Sequence, residues 1–588
     1  MDYLYLEILT NNLLNDEVEV FTTIPSFIAL YVYRYLGSPP NVKIKFVPSN
    51  LSCEMQLNFT HYLRSQQQKD SILLEESYTY QAIQDLRLPV YYKNGDIFVA
   101  GVCAVCRELV AGQQNLEVRK LLGFKESCLM SPSETSVWTR FCEVDIVKAL
   151  KHLLLCYSLK QSIKEMPVET VRFEKHMNEP VRMHNIYKVA RERANQTKSQ
   201  LNNDIKNTRI MIDCKIPKEE LQIEHKFAEG VLFTIADLIL YPCLRLIFHF
   251  SRNMLENFPL TCSWFAEVDK LEPKCKAVLD ELYLYPSVKQ GLVSFLSIPY
   301  CESKSLYKSD PKRYRPRNRV FTAQRDVDAT LNKLQTLRLN YNSDCSKTFD
   351  KKSIDWQRIE PSHAKSCALP EERLERKRQQ LENLANAAIS LAEPGNRIID
   401  FCSGTGHLGI LLALHLPQCT IILMENKPES LRRAKLRALE LKLSNIKFYQ
   451  CNIDYFKGTS LHACGTATDI VLQQCRQAKA NFVCCPCCYG SLKSMPHITY
   501  PLSKQFRQVL SEKDFMYIAH TADQAHVLGT LNCKPEITKQ GQLCMDIVDT
   551  DRKLQAEEAG YQVILTRLKP EDCTPKNRLL VGFLKEES

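Results

Sequence analysis

The apolar residues Ile398 and Ile399 lead through Asp400 and Phe401 into Cys402-Ser403-Gly404-Thr405-Gly406-His407-Leu408-Gly409, where the glycines stand as G-x-G-x-x-G. Glycine permits a tight turn and lets a ligand touch the backbone, and the N–H groups that open the next helix face that ligand. Three glycines alone are a weak signal, so the surroundings decide. An apolar run, Thr420 to Met424, ends on Glu425, which follows Gly404 at the distance where an acid accepts hydrogen bonds from ribose hydroxyls. A third run, Ile446 to Cys451, leads to Asp454, placed to hold an adenine amino group. The alternative is that Glu425 and Asp454 are ordinary acids at loop edges. The ligand indicated is of nucleotide type, with Asp400, Gly404, Gly406, Gly409, Glu425 and Asp454 as its binding set.

Two further motifs fall where a second substrate would sit, beyond the carboxyl ends of the next strands. Leu461-His462-Ala463-Cys464-Gly465 offers His462 as a general base, although a structural histidine is the commoner case. Phe482 to Gly490 contains Cys484, Cys485, Cys487, Cys488 and Tyr489, and the tyrosine could stack on an acceptor base. Adjacent cysteines cannot readily all face one ion, so no metal site is assigned. Thiols that pack or shape a cleft are the alternative.

The elements that must carry these residues read as strand, helix, strand, helix, strand: Gly406 opens an apolar helix, and Pro428 opens another with Leu431, Ala434, Ala438 and Leu441 on one face. Near the end, Tyr561–Leu568 and Arg578–Leu584 read as strands joined without a helix, an antiparallel hairpin at the sheet edge. Such a doubly wound sheet with one reversed strand resembles the S-adenosylmethionine-dependent methyltransferases, whereas dinucleotide enzymes continue into a second nucleotide-binding half.

The segments Pro370–Arg373, Arg376–Leu381, Asp400–His407, Leu461–Gly465 and Cys485–Gly490 together resemble the glutathione S-transferase C-terminal domain-containing family. The wider set of methyltransferase-like domains, similar in the HxCG and CCY segments, includes tRNA 2′-O-methyltransferases. The resemblance implies S-adenosylmethionine as cofactor and RNA as one acceptor class. No N-P-P-Y run follows the fourth strand, which argues against methylation of adenine or glutamine nitrogen.

At 588 residues the chain exceeds one core. The reading gives a thioredoxin-like α/β domain over 1–125, an all-α glutathione-transferase-like domain over 130–300, a basic linker over 301–365 and a Rossmann-like methyltransferase domain over 366–588. The 25 cysteines and the lack of a secretory leader suggest free thiols in a reducing, cytoplasmic setting, and no apolar run reaches membrane-spanning length. The net charge of +10 gathers in Lys304–Arg319, with Tyr307 and Tyr314 interleaved, and in the helix carrying Arg373, Arg376, Lys377 and Arg378. Both could bind RNA, or could be a solvated linker and an ordinary charged helix face.

In the front half, Val18–Phe21 reads as a strand, Thr22–Ser26 as a loop, Phe27–Tyr35 as a helix, Asn94-Gly95-Asp96 as a hairpin turn and Val99–Val110 as a helix. Pro89 loosely matches the proline before a strand in thioredoxin-like halves. Thr234 and Asp237 have the spacing of a capping box, and 175–225 is read as partly mobile. Thr22, Thr23 and Ser26 are the nearest groups to activate a thiol, and none lies in a convincing motif. The front half is therefore expected to dock a protein partner or a second copy of the chain. The alternatives to an enzyme are a scaffold that retains both folds and a glutathione-binding protein.

Overall fold

The computed structural model describes residues 1–9, 21–49, 57–58, 83–93, 97–131, 133, 136–181, 225–283, 297–301, 322–341, 371–452, 466–494, 498–525 and 535–584, with scattered residues between them. The chain forms two compact units, one of residues 1–94 and 99–312, the other of 95–98 and 313–588.

The first unit begins with β1 (Asp2–Leu9), β2 (Phe21–Thr22), α1 (Ile24–Tyr35), β3 (Val42–Ser49), β4 (Leu57–Asn58) and β5 (Val90–Lys93); β6 (Ile97–Ala100) follows, its first two residues falling in the other unit. β1 pairs in parallel with β3 along its full length, and antiparallel with β2 and β5. α1 starts three residues earlier than the sequence suggests, because Pro25 fits the first turn, whose N–H groups need no partner. The next helix, α2 (Val102–Ala111), starts later than expected: residues 97–100 are a strand, and Gly101 at φ 105° turns the chain into the helix. Residues 10–20 and 94–96, which include most of the expected first strand and the hairpin turn, lie outside the described residues.

After two one-turn helices, Leu116–Arg119 and Val137–Arg140, the longer helices of this unit are α3 (Ile146–Ser158), α4 (Val168–Met177), α5 (Ile235–Phe250), α6 (Pro259–Leu271) and α7 (Lys274–Leu282). Most of 175–225 beyond α4 is outside the described residues. The capping box holds. Asp237 Oδ2 accepts from Thr234 N at 2.9 Å and from the Thr234 hydroxyl, while Oδ1 accepts from Ala228 N at 2.7 Å and Trp264 Nε1 at 2.8 Å. One fully buried carboxylate thus ties a loop, a helix start and α6 together.

In the second unit, α8 (Gln324–Gln335) and α9 (Glu371–Leu391) precede β7 (Arg397–Phe401), α10 (His407–His415), β8 (Thr420–Glu425), α11 (Pro428–Glu440) and β9 (Ile446–Gln450). β7 and β9 flank β8, and both pairings are parallel. α10 carries leucine, isoleucine and alanine around its circumference, and residues 408–413 are all buried. α12 (Thr466–Gln477), β10 (Phe482–Cys484), α13 (Lys504–Val509), α14 (Glu512–Ala522), α15 (Pro535–Glu557), β11 (Tyr561–Arg567) and β12 (Arg578–Leu584) follow. The final hairpin forms, but β12 lies between β10 and β11, antiparallel to both. The reversed strand is therefore internal to these three strands. The local sequence specified the hairpin and could not specify its other neighbour. No described helix is long and apolar enough to cross a membrane.

Asp237→Ala orphans buried donors on three segments and removes a cap, so we expect a loss of about 3 kcal/mol in stability. Thr234→Ala should cost about 1 kcal/mol. Denaturant unfolding followed by tryptophan fluorescence checks both, through Trp138 and Trp264 of this unit.

Candidate functional site

The turn between β7 and α10 is fastened from three sides. Asp400, at the penultimate position of β7, reaches forward and its Oδ2 accepts from Gly409 N at 3.0 Å. Glu425, the last residue of β8, accepts from Gly404 N at 2.8 Å through Oε2 and from Lys427 N at 3.0 Å through Oε1. Arg437 projects from α11, and its Nη1 donates to Thr405 O at 2.8 Å and to His407 Nδ1 at 3.1 Å. Arginine only donates, so His407 Nδ1 accepts and the ring proton lies on Nε2, which donates to Thr405 Oγ1 at 2.9 Å.

The glycines have separate tasks. Gly404 has φ +57°, and among the described residues a Cβ there would meet no atom within 4 Å. Its outer face is open. A Cβ on Gly406 would lie 2.7 Å from Leu423 Cδ1 and 2.9 Å from Ala434 Cβ, and one on Gly409 would lie 2.0 Å from Leu423 Cδ2. These two let the turn and α10 close onto β8.

Burial pushes the Asp400 carboxyl up to about 7, against the pull of its bond from Gly409 and of the Lys377 charge. The buried Ser403 hydroxyl has no hydrogen-bond partner among the described residues. Glu425 uses one lone pair of each oxygen on backbone N–H groups and has others left. An open glycine, an orphaned hydroxyl and a carboxylate with spare acceptor capacity fit the nucleoside end of S-adenosylmethionine.

The structure thus brings together Asp400, Gly404, Gly406, Gly409 and Glu425. Asp454 and His462 lie outside the described residues. Tyr489 requires a correction. It is fully buried, its hydroxyl donates to Asp549 at 2.6 Å, and the Arg552 guanidinium and Lys576 ammonium lie 5.6 Å and 5.3 Å from its ring centre. It is a core residue with no free face for an acceptor base. Cys484 and Cys485 are buried, and burial pushes the Cys485 thiol up to about 12. Cys487 and Cys488 are half-buried with their sulfurs 3.6 Å apart. No group of three potential metal ligands is assembled among the described residues.

Sequence reasoning missed Arg437, Asp523 and Lys576. Asp523 accepts from Gly490 N at 2.8 Å and Tyr489 N at 3.3 Å, and Lys576 Nζ donates to Asp523 and to Ala522 O, both at 2.9 Å. A Cβ on Gly490 would stand 2.6 Å from Asp523 Oδ2, which explains the glycine. Arg437 left a readable trace: it is a charge among the apolar positions of α11, beside Ala434 and Ala438. The partners of Asp523 are distant in sequence and left none.

Two outcomes test this geometry. Gly409→Ala collides with β8 and should cost several kcal/mol, whereas Gly404→Ala meets only backbone strain of about 1 kcal/mol; thermal unfolding of the two variants compares them. Folded Asp400 keeps its proton up to about pH 7, and the unfolded chain releases it near pH 4. Its contribution to stability is therefore greatest below pH 4 and falls as pH rises toward 7. Asp400→Asn cannot titrate, so the advantage of the wild type over this variant should shrink between pH 5 and pH 7, by at most about 1.4 kcal/mol per pH unit. A widening gap would contradict the assignment.

A family model described as a methyltransferase domain matches residues 376–495, which include the whole turn. The chain is 60% identical to a glutathione S-transferase C-terminal domain-containing protein homolog of Drosophila pseudoobscura pseudoobscura, over 100% of both chains. The homolog of Drosophila melanogaster is 59% identical over 100% of both. The Homo sapiens glutathione S-transferase C-terminal domain-containing protein is 32% identical over 85% of this chain and 86% of its own length. The chain belongs to the glutathione S-transferase C-terminal domain-containing protein family, and its second unit carries a methyltransferase domain.

Proposed function

We propose that the second unit is an S-adenosylmethionine-dependent methyltransferase. The observation that carries this reading is the bond from Gly404 N to Glu425, across 21 residues, at a turn whose first glycine faces open space. Bound there, the cofactor supplies a sulfonium methyl group for in-line displacement. Glu425 would take the ribose hydroxyls, and the Gly404–Gly406 backbone would hold the nucleoside. Asp454 holds the adenine amino group. His462 accepts the acceptor's proton as the methyl group arrives. Positioning can supply much of the rate in such a displacement.

RNA is the acceptor class that the cationic start of α9 favours, with Arg373 exposed and Arg376 partly so, just before the methyltransferase strands. The basic residues and interleaved tyrosines of the sequence 304–319 suit the same acceptor class.

We read the first unit as a thioredoxin-like domain followed by a glutathione-transferase-like helical domain. The parallel β1–α1–β3 crossover, the antiparallel β5 and the Thr234–Asp237 capping box support this reading. Its role is docking, to a protein partner or a second copy, and not thiol transfer. The Thr22 hydroxyl donates to Glu7 O at 2.7 Å and Ser26 Oγ accepts from Glu7 N at 2.9 Å, so both hold β1, while the Thr23 hydroxyl is buried and has no hydrogen-bond partner among the described residues. The free thiols, most of them buried, favour the cytoplasm.

Titration calorimetry of the full chain with S-adenosylmethionine tests the central reading. We expect saturable binding, weakened roughly tenfold or more in Glu425→Ala and abolished in Gly404→Arg. Absence of binding heat in the wild type would favour a scaffold instead.

A further inference from the structure

The motif that ends β10 holds two kinds of thiol. Cys484 and Cys485 are buried, and burial holds both thiols above the ordinary range, so they are poor nucleophiles. Cys487 and Cys488 are half-buried, and their sulfurs stand 3.6 Å apart. In an extended chain successive side chains point to opposite faces, which would carry adjacent sulfurs away from each other. The chain has therefore already turned between these two residues. Their sulfurs face each other across a gap that an S–S bond of about 2 Å can close.

The pair lies between two fixed points. On one side Cys485 is packed into the core that holds Val483 and Leu408, and its thiol donates to Lys576 O at 3.5 Å. On the other, Asp523 accepts from Tyr489 N at 3.3 Å and from Gly490 N at 2.8 Å, and the Ser491 hydroxyl donates to Cys488 O at 3.0 Å. Joining adjacent cysteines closes a small ring that contains the peptide bond between them, and a planar trans peptide fits such a ring poorly. Closure therefore twists the chain between the two anchors. The apolar packing of Cys485 has no direction to lose, whereas the bonds to Asp523 depend on distance and angle, and the bond from Tyr489 N is already long.

We propose that Cys487 and Cys488 are a thiol modification site, which hydrogen peroxide closes into a vicinal disulfide that loosens the hold of Asp523 on Tyr489 and Gly490. One sulfur attacks a peroxide oxygen, the O–O bond breaks, and the thiol becomes a sulfenic acid with release of a water. The second sulfur attacks the first, its proton leaves with the sulfenic hydroxyl as another water, and the S–S bond forms. Two thiols are oxidised to one disulfide, and one peroxide is reduced to two waters. An accessible thiol with a resolving thiol beside it is the arrangement this chemistry favours. Neither step involves the methyl donor, so its failure would leave the reading of the glycine-rich turn untouched.

The test treats the reduced full chain with hydrogen peroxide and follows it by peptide mass spectrometry and amide hydrogen exchange. The peptide that carries both cysteines should lose the mass of two hydrogen atoms and regain it with dithiothreitol. Exchange at the Tyr489 and Gly490 amides should become roughly tenfold or more faster in the oxidised chain and return on reduction. Cys487→Ser and Cys488→Ser should each abolish both changes, while Cys402→Ser, which removes the exposed thiol of the glycine-rich turn, should leave both in place. The wild-type comparison of oxidised with reduced chain stands even where a serine variant fails to fold. Oxygen added to either cysteine with no bond between them would overturn the proposal, as would a bond from either to another cysteine. A vicinal disulfide that left the exchange of Tyr489 and Gly490 unchanged would also overturn it.

Discussion

Two carboxylates shape the site. A glycine-rich turn has little of its own to hold it, since glycine lends conformational freedom and no side chain. Asp400 and Glu425 supply the missing restraint by accepting N–H groups from the end and the beginning of the same turn. Arg437 closes the third side through Thr405 and His407. The backbone is thereby set before any ligand arrives, and a preformed site avoids the ordering cost that a loose loop would add to binding. Glu425 holds backbone with one lone pair of each oxygen and keeps acceptor capacity beyond those two bonds.

The same unit holds a second set of buried charges. The Arg552 guanidinium lies between Asp469 on α12 and Asp549 on its own helix, at 2.7 Å and 2.8 Å, with Tyr489 on Asp549 and Tyr500 on Asp469. Arg578 on β12 meets Asp546 of α15 at 2.7 Å. Buried pairs of this kind contribute modest net stability, because desolvation offsets the attraction, yet removing one partner is costly. Their effect is to fix register. The loop after β10 is pinned at Tyr489 by this network and at Gly490 by Asp523, so the chain there is held in one conformation.

What could be read from the sequence were local patterns with a physical cause. The G-x-G-x-x-G turn, the acid after the second strand, the amphipathic α11 and the Thr234–Asp237 box all follow from spacing along one or two elements. What could not be read depended on distant partners. Tyr489 resembles an exposed stacking residue within its cysteine-rich motif, and only Asp549, 60 residues on, makes it a core residue. The hairpin of β11 and β12 was legible, but the insertion of β12 beside β10 was not, since pairing between Val483 and Val581 is set by the whole sheet. Arg437 lay between these cases: an arginine on an apolar helix face needs a buried acceptor, and the glycine-rich turn supplies it through Thr405 O.

The central claim is that the turn from Gly404 to Gly409 holds the nucleoside of the methyl donor. A crystal structure of the full chain grown with S-adenosylhomocysteine tests it most directly. We predict both ribose hydroxyls within hydrogen-bond distance of Glu425 and the nucleoside against Gly404, with the turn unmoved. A ligand bound elsewhere, or a turn whose own side chains occupy the space outside Gly404, would contradict the account.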